Sequence, residues 1–308
     1  MSFFRRDEAG ILLALVALCA GLGLSTEEFL TADNLLTVAR QFSVIGVMAV
    51  GMTFVIVAGE IDLSVGSVLA LSGCLVAQQV VQHSWSMAAA IPVGLAAGAA
   101  AGLINGWLTV AMRIPSFIIT LGMMSVLRGL TYVMTQAFPI SGLPDEFRFF
   151  GYGALFGVSV PVIAMGVVAL CGGLVLSSTR LGRAVYATGG NVEAARLSGI
   201  DTDMVRIFAF VLLGTLSAFA GVLNAAWVTV AQPVAGMGYE LDVIAAVIIG
   251  GASFSGGKGT VLGTMIGATL MGVLRNGLVL VGVDVYWQQV AIGGVIIVAV
   301  LLDRMRRR

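Results

Sequence analysis

Charged residues are scarce in this chain. Of its 308 residues only 10% are Asp, Glu, Lys or Arg, whereas 59% are hydrophobic, and the mean hydropathy is +1.04. Soluble domains carry about 25% charged residues, so this chain lacks the polar side chains that a water-exposed surface requires. The composition excludes a soluble globular protein and predicts an integral membrane protein.

Residues that bind metals or form disulfides are equally few. The chain has one His, His83, and three Cys, at 19, 74 and 171, each alone in an apolar run. This spacing offers neither a zinc ligand set nor a disulfide framework. Sixteen Lys and Arg balance sixteen Asp and Glu, and no basic tract lies within the body of the chain. We therefore expect no metal site, no nucleic-acid partner and no catalytic cluster of an enzyme.

Apolar segments fill most of the chain. A bilayer-spanning helix needs about 20 apolar residues, and its backbone must bond within its own segment. Ten segments are predicted to be helical: 10–24, 40–58, 65–82, 87–112, 115–136, 159–177, 205–229, 241–252, 260–281 and 286–302. The eighth is too short to cross unaided and is expected to be a broken or re-entrant element. We predict a single all-α domain over residues 1–308, a polytopic transmembrane helical bundle of about ten spans.

The distribution of positive charge predicts the orientation, because Lys and Arg collect on the cytoplasmic side. With the N-terminus inside and ten alternating spans, twelve of the sixteen fall inside: Arg5, Arg6, Arg113, Arg180, Arg183, Arg196, Arg206, Lys258, Arg304, Arg306, Arg307 and Arg308. The other four lie outside or within spans: Arg40, Arg128, Arg148 and Arg275. Both termini are therefore expected in the cytoplasm.

A first polar motif interrupts the apolar segments at residues 59–67. Its notable residues are Gly59, Glu60, Asp62, Ser64, Gly66 and Ser67. A carboxylate in hydrocarbon costs several kcal/mol, so the two acids must lie in water, at a helix N-terminus or beside a cation. Ser64 and Ser67 are candidate N-caps of the third segment, with Asp62 near its positive end. Direct contact with a substrate or partner is the alternative.

A second motif, at residues 250–260, includes Gly256, Gly257, Lys258 and Gly259. It is similar to part of a phosphate-binding P-loop, but Gly follows Lys258 where Ser or Thr should bind magnesium. Close helix packing through glycine is the favoured interpretation, with Lys258 reaching the cytoplasmic face. Residues 55–69 and 247–262 also resemble each other, which leaves internal duplication and chance recurrence both open.

The longest polar interval, at about residues 178–205, encloses a short helix. Asn191 is a natural N-cap, Glu193 falls in the first turn, and Gly199 is a C′ glycine. Ala194 and Ala195 are small enough for another protein to approach the backbone closely. The interval is a candidate protein contact, with an ordinary connecting helix as the alternative. Its candidate residues are Gly189, Asn191, Glu193, Ala194, Ala195 and Gly199.

These motifs carry a family resemblance. Glu193-Ala194-Ala195-x-x-x-Gly199 resembles the cytoplasmic E-A-A-x-x-x-G coupling motif of ATP-binding cassette (ABC) importer permeases. Residues 59–67 and 250–260 resemble signature segments of the ribose-type sugar permease branch, and the similarity covers about residues 35–302. Glu60 departs from the pattern, because the family usually has Gly before Ile61.

The resemblance implies a pore subunit in the bacterial inner membrane, paired with an identical or homologous second chain. It implies that ATP and magnesium bind a separate cytoplasmic ATPase, so that this chain binds no cofactor. It also implies a periplasmic binding protein, which delivers the substrate and largely sets which sugar is taken up.

The substrate path is sought among polar residues on apolar helices: Asn105, Ser116, Thr120, Asn224, Asn276 and Gln288. Buried amides and hydroxyls can bind sugar hydroxyls, but each can equally join two helices. We expect a weakly polar, charge-free passage for a monosaccharide or small polyol. A branched-chain amino-acid permease and an ATP-independent secondary transporter are the alternatives.

Overall fold

The computed structural model of the chain describes residues 6–284, 286–294 and 297. Helices dominate this part, which confirms the predicted helical bundle. The named helices are α1 Arg6–Ser25, α2 Ala32–Val57, α3 Val65–Val81, α4 Met87–Met112, α5 Ser116–Thr135, α6 Asp145–Tyr152, α7 Val160–Ser178, α8 Arg180–Gly190, α9 Val192–Leu197, α10 Thr202–Val228, α11 Tyr239–Ile249 and α12 Val261–Leu280. Residues 286–294 are also helical.

Seven helices of the described chain are long and apolar enough to cross a membrane: α1, α2, α4, α5, α7, α10 and α12. Among the other three predicted spans, α3 has 17 residues and α11 has 11. The tenth predicted span lies partly outside the described residues. Five of the arginines used to predict the orientation lie outside them as well: Arg5, Arg304, Arg306, Arg307 and Arg308. The predicted total of ten spans and the placement of the termini therefore remain predictions.

Two helices, α2 and α10, form the centre of the bundle. In the most apolar 18-residue stretch of α2, 83% of the residues are buried, and in that of α10 the share is 61%. α7 is the more hydrophobic helix, with a mean hydropathy of 2.3 against 1.7 for α2, yet only 17% of the corresponding stretch is buried. Hydrophobicity on all sides suits both a core helix and a lipid-facing one, so packing decides which helices become central.

Glycines spaced four residues apart bring α4 against its neighbours: Gly98, Gly102 and Gly106 face α10, whereas Gly94 faces α3. Gly94, Gly98, Gly102 and Gly106 follow one face of α4. A Cβ atom built at Gly106 would lie 2.9 Å from Ile207 Cα, so no side chain fits between the two backbones there. Small residues at this spacing let membrane helices pack closely, where dispersion contacts replace the hydrophobic effect.

Two helices begin inside the bundle instead of at its ends. α3 follows a non-helical segment at 58–64, and α11 follows an irregular segment at 229–238 that packs along α3. Their starts meet where Gly236 approaches Gly66, since a Cβ built at Gly236 would lie 3.1 Å from Gly66 Cα. The eighth predicted span is thus confirmed as short, but the break precedes α11 as well as following it.

Arg128 on α5 holds the 229–238 segment in place by two hydrogen bonds. Its Nη1 donates hydrogen bonds to the carbonyl oxygens of Pro233, at 2.6 Å, and Ala235, at 2.9 Å. Ile140 and Ala231 form an isolated antiparallel bridge nearby. These bonds satisfy backbone carbonyls that no helix serves, which non-helical chain inside a membrane protein requires.

Residues 137–159, between α5 and α7, contain secondary structure of their own. They include α6 and a pair of two-residue strands, β1 Ala154–Leu155 and β2 Val158–Ser159, in antiparallel register. Phe147 on α6 is fully buried, and Gly151 packs against the backbone of Ala226 on α10. α6 is amphipathic, so it covers the end of α10 while its other face remains exposed.

The two segments that resemble each other in sequence end their helices in the same way. After α2, Gly59 has φ +86° and Glu60 N–H donates to Val55 O at 3.0 Å. After α11, Gly251 has φ +91° and Ala252 N–H donates to Val247 O at 3.1 Å. Both are Schellman caps at matching positions, which extends the sequence similarity to local geometry.

Candidate functional site

The polar interval folds into two short helices, α8 and α9, between α7 and α10. Asn191 caps α9 as predicted, because Ala194 N–H donates to Asn191 Oδ1 at 3.0 Å. Gly199 has φ +82° and ends the helix: Gly199 N–H donates to Arg196 O, and Ile200 N–H to Ala195 O. The predicted C′ glycine is therefore confirmed, in a Schellman motif.

The two alanines of the motif differ in exposure. Ala194 and Glu193 are exposed, and the side chain of Leu197 is 83% exposed. Ala195 is only 4% exposed and packs within the chain. The expectation that Ala194 and Ala195 share an outward face is wrong, because adjacent residues on an α-helix point about 100° apart.

Polar contacts tie α9 to the start of α10. Arg196 Nε donates to Thr202 Oγ1 at 2.9 Å, and its Nη2 pairs with Asp203. Asp201 caps α10, accepting a hydrogen bond from Met204 N–H at 3.0 Å. A displacement of α9 would therefore be transmitted directly to the first turn of α10.

A glycine junction joins this loop to the bundle. It is formed by Gly59 after α2, Gly189 at the end of α8, and Gly256 and Gly257 before α12. Gly257 N–H donates to Val57 O at 2.8 Å. A Cβ built at Gly256 would lie 2.9 Å from Gly59 Cα, so the three backbone segments are in direct contact.

The second glycine motif thus serves packing, in agreement with the favoured interpretation. Tyr186 Oη on α8 donates to Gly259 O at 2.6 Å, beside the junction. Lys258 is exposed, and its carbonyl accepts a hydrogen bond from Ser253 N–H at 3.0 Å. The N–H groups of Gly256 and Gly257 donate to Ser253 O and Val57 O, so these two donors are not available to a phosphate.

The first motif is also tied to α10. Glu60 pairs with Arg206, with Oε1 and Nε 3.1 Å apart and side chains 11% and 21% exposed. The acid that departs from the family pattern therefore has a cation partner one turn from the Arg196 contacts. This pair links the N-terminal part of α10 to the break after α2.

Asp62 lies at the centre of a buried network. Its carboxylate accepts hydrogen bonds from Ser64 N–H and Ser64 Oγ, both at 2.7 Å, and from Asn105 Nδ2 at 3.2 Å. Ser64 occupies the N-cap position of α3, but its hydroxyl bonds Asp62 and caps no helix amide. Ser67 lies inside α3, and its hydroxyl has no hydrogen-bond partner in the described chain. The predicted capping by both serines is therefore wrong, because the Ser64 hydroxyl is directed to Asp62 and Ser67 lies within the first turn of α3.

Three of the path candidates hold the 58–64 segment in place. Asn105 bonds Asp62, Ser116 Oγ accepts from Ile61 N–H at 3.0 Å, and Thr120 Oγ1 accepts from Leu63 N–H at 3.1 Å. Their polar groups satisfy backbone and carboxylate that would otherwise be unpaired. Among these three, the alternative of joining chain segments describes the geometry better than an open passage.

The other three candidates lie at the opposite end of α2. Asn224 is 7% exposed and faces the 229–238 segment. Asn276 forms a reciprocal amide pair with Asn34, at 2.8 and 3.1 Å, and Gln288 Nε2 donates to Val283 O at 3.0 Å. Asn276 and Gln288 line a common cavity of about 250 Å³.

Sequence reasoning missed the charged pair in that cavity. Asp242 Oδ2 lies 2.7 Å from Arg275 Nη2, and the Asp242 side chain is 5% exposed. The expected charge-free passage stays a prediction, because this pair lies in a cavity that is not by itself identified as the passage. The sequence did contain a signal for this pair. Arg275 lies late in an apolar helix, and Glu240 and Asp242 lie at the start of a short one.

Comparison with known proteins places the chain in a family. The family described as "Branched-chain amino acid transport system / permease component" matches residues 34–300. The chain is 45% identical over 300 residues to ribose import permease protein RbsC of Escherichia coli (strain K12), covering 96% of this chain and 93% of that protein. It is 40% identical over 300 residues to D-allose transport system permease protein AlsC of the same strain, covering 97% and 92%.

A more distant relative is the L-arabinose ABC transporter permease protein AraH of Azospirillum brasilense, 37% identical over 301 residues, with 98% and 88% covered. No solved structure matches the chain. The helical bundle and the family match over most of the chain agree with the resemblance found in the motifs. The chain therefore belongs to this family of transport-system permeases, with ribose-type sugar ABC permeases as its relatives, and is a multi-pass membrane protein.

Proposed function

We propose that this chain is the membrane-spanning subunit of an ABC importer in the bacterial inner membrane, and that it translocates a monosaccharide or related small polyol. The observation that carries this is the 37–45% identity, over nearly the whole chain, to permeases named for ribose, allose and arabinose. A branched-chain amino-acid substrate, which the family description names, is the second candidate. The exposed α9 favours a partner-dependent machine over a transporter that works alone.

In this proposal ATP and magnesium bind a separate ATPase chain, and a periplasmic binding protein delivers the sugar. A second permease chain, identical or homologous, completes the pore. α9 enters a groove of the ATPase, and Arg196 carries its movement into α10. The glycine junction carries the same movement to the end of α2 and the start of α12. This chain then contributes coupling and passage, and no catalysis.

The test is uptake into proteoliposomes that contain this permease with the ATPase and binding protein encoded beside it. We expect ATP-dependent uptake of at least one of labelled D-ribose, D-allose and L-arabinose, and no uptake without the ATPase. Preferential uptake of L-leucine would identify the chain as an amino-acid permease instead. Transport without any ATPase would identify a secondary transporter instead.

The proposed orientation places α8 and α9 in the cytoplasm. With the native Cys19, Cys74 and Cys171 replaced, single cysteines at Glu28 and Asp145 are expected to react with an impermeant maleimide in intact cells. A cysteine at Arg196 should react only after permeabilisation. All three positions are exposed, so accessibility to the reagent differs only by the side of the membrane. Labelling at Arg196 in intact cells would refute this topology.

A further inference from the structure

A cavity lies beside Asp242. It lies between the N-terminal half of α2, the end of α10, the first turn of α11 and the C-terminal half of α12. Its volume of about 250 Å³ exceeds the about 30 Å³ of one water several times over. Phe42 on its wall and Val57 at the glycine junction are 15 residues apart on α2, or about 22 Å. The cavity and the coupling surface are therefore at opposite ends of the same central helix.

The Asp242–Arg275 ion pair lies among apolar helices, where charged side chains are energetically costly. Asp242 is nearly buried, while the Arg275 side chain is 41% exposed and lines the cavity. Ionisable residues among membrane helices are costly and usually mark a substrate or ion pathway. The guanidinium has five N–H donors and a single carboxylate partner here, so donors remain for a ligand.

The rest of the lining suits a molecule with polar edges and apolar faces. Gln41, Asn276 and Gln288 contribute amides, while Phe42 and Trp227 contribute aromatic surface. Binding pockets typically combine such apolar walls with a few convergent polar groups. The cavity also abuts the start of α11, a discontinuous helix, and such helix breaks commonly flank the substrate sites of transporters.

We propose that this cavity holds the sugar during its passage, with the Asp242–Arg275 pair binding its hydroxyl groups and Trp227 flanking the ring. This inference rests on the proposed function and assigns it a site. A hydroxyl both donates and accepts, so a neutral polyol can bond to either member of the pair while the pair stays closed. A zwitterionic amino acid would have to open the 2.7 Å pair to use both charges.

The experiment uses the complete reconstituted importer and measures sugar molecules transported per ATP hydrolysed. Asp242→Asn, Arg275→Gln and Trp227→Ala are expected to lower this ratio at least tenfold, while ATPase assembly and sugar-independent hydrolysis persist. Gln41→Trp, at an exposed position, fills the cavity without altering the charged pair and is expected to have the same effect. It decides the outcome if the charge variants fail to assemble.

The matched control is Glu240→Gln. Glu240 shares the first turn of α11 and loses the same charge, but it does not line the cavity. We expect its ratio to stay within twofold of that of the unmodified importer. Normal sugar transport by Gln41→Trp and Trp227→Ala would remove the cavity from the path while leaving the sugar importer intact. An unmodified importer that moves L-leucine and no sugar would refute the proposed function, and with it the sugar assignment of the cavity.

Discussion

Gly189→Val is expected to abolish ATP-driven uptake. We expect this to be the largest effect among the substitutions proposed for this chain. A Cβ at Gly189 would overlap Val57 O and lie 2.7 Å from Gly257 N. Both neighbours are backbone atoms of other segments, so neither can move aside as a flexible side chain would. Overpacking of this kind costs about 1–3 kcal/mol, here concentrated at the contact that joins the loop to α2 and α12.

The control for this prediction is the adjacent glycine. A Cβ at Gly190 has no atom within 4 Å, and Gly190 lies in the same helix. Gly190→Val should therefore retain most uptake. The readouts are uptake, substrate-stimulated ATP hydrolysis and the amount of permease in the membrane. If Gly189→Val retained as much uptake as the unmodified permease, the glycine junction would not carry the coupling.

Substitutions on the outer face of α9 are expected to have the second largest effect. Ala194→Trp adds bulk where the proposed ATPase groove meets the helix, and Leu197→Ser removes an apolar side chain that is 83% exposed. Large apolar side chains at the centre of an interface commonly carry much of its binding energy. We expect both variants to fold and insert, but to lose at least tenfold in ATPase association and in uptake.

The burial of Ala195 determines how this test is designed. Ala195→Trp would disrupt the interior of the loop, so loss of function in that variant could not be assigned to docking. Gly199→Val has the same weakness, because φ +82° strains any side chain. Ala88→Trp, the same change at an exposed site in the first turn of α4, is the control and should bind the ATPase normally. Normal ATPase binding by Ala194→Trp and Leu197→Ser would exclude α9 as the docking helix.

Local features of this protein could be predicted from the sequence. The cap at Asn191 and the positive φ at Gly199 depend on residues within one helical turn, so the pattern of residue types suffices to place them. The helical segments were also predictable, because lipid requires each span to satisfy its own backbone. Glycines four residues apart on α4 carried a packing signal that sequence reasoning left unused.

Features that depend on distant residues could not be predicted in this way. Asp62 and Asn105 are 43 positions apart, and Asp242 and Arg275 are 33 apart. Composition gave no indication that α2 would be buried and α7 exposed, since both are apolar on every side. The candidate path residues were therefore divided by the fold: three support the 58–64 segment, one faces the 229–238 segment, and two line the cavity.

The sequence alone determined that this protein is a helical membrane protein with a capped helix in a polar loop, because those properties follow from hydrophobicity and from bonds between near neighbours. The tertiary structure decided which face of that helix is open, which glycines touch and which charges pair. These depend on how helices far apart in the chain come together. A backbone contact such as that of Gly189 with Val57 leaves no mark in either local sequence, because glycine also occurs where nothing approaches it, as at Gly190.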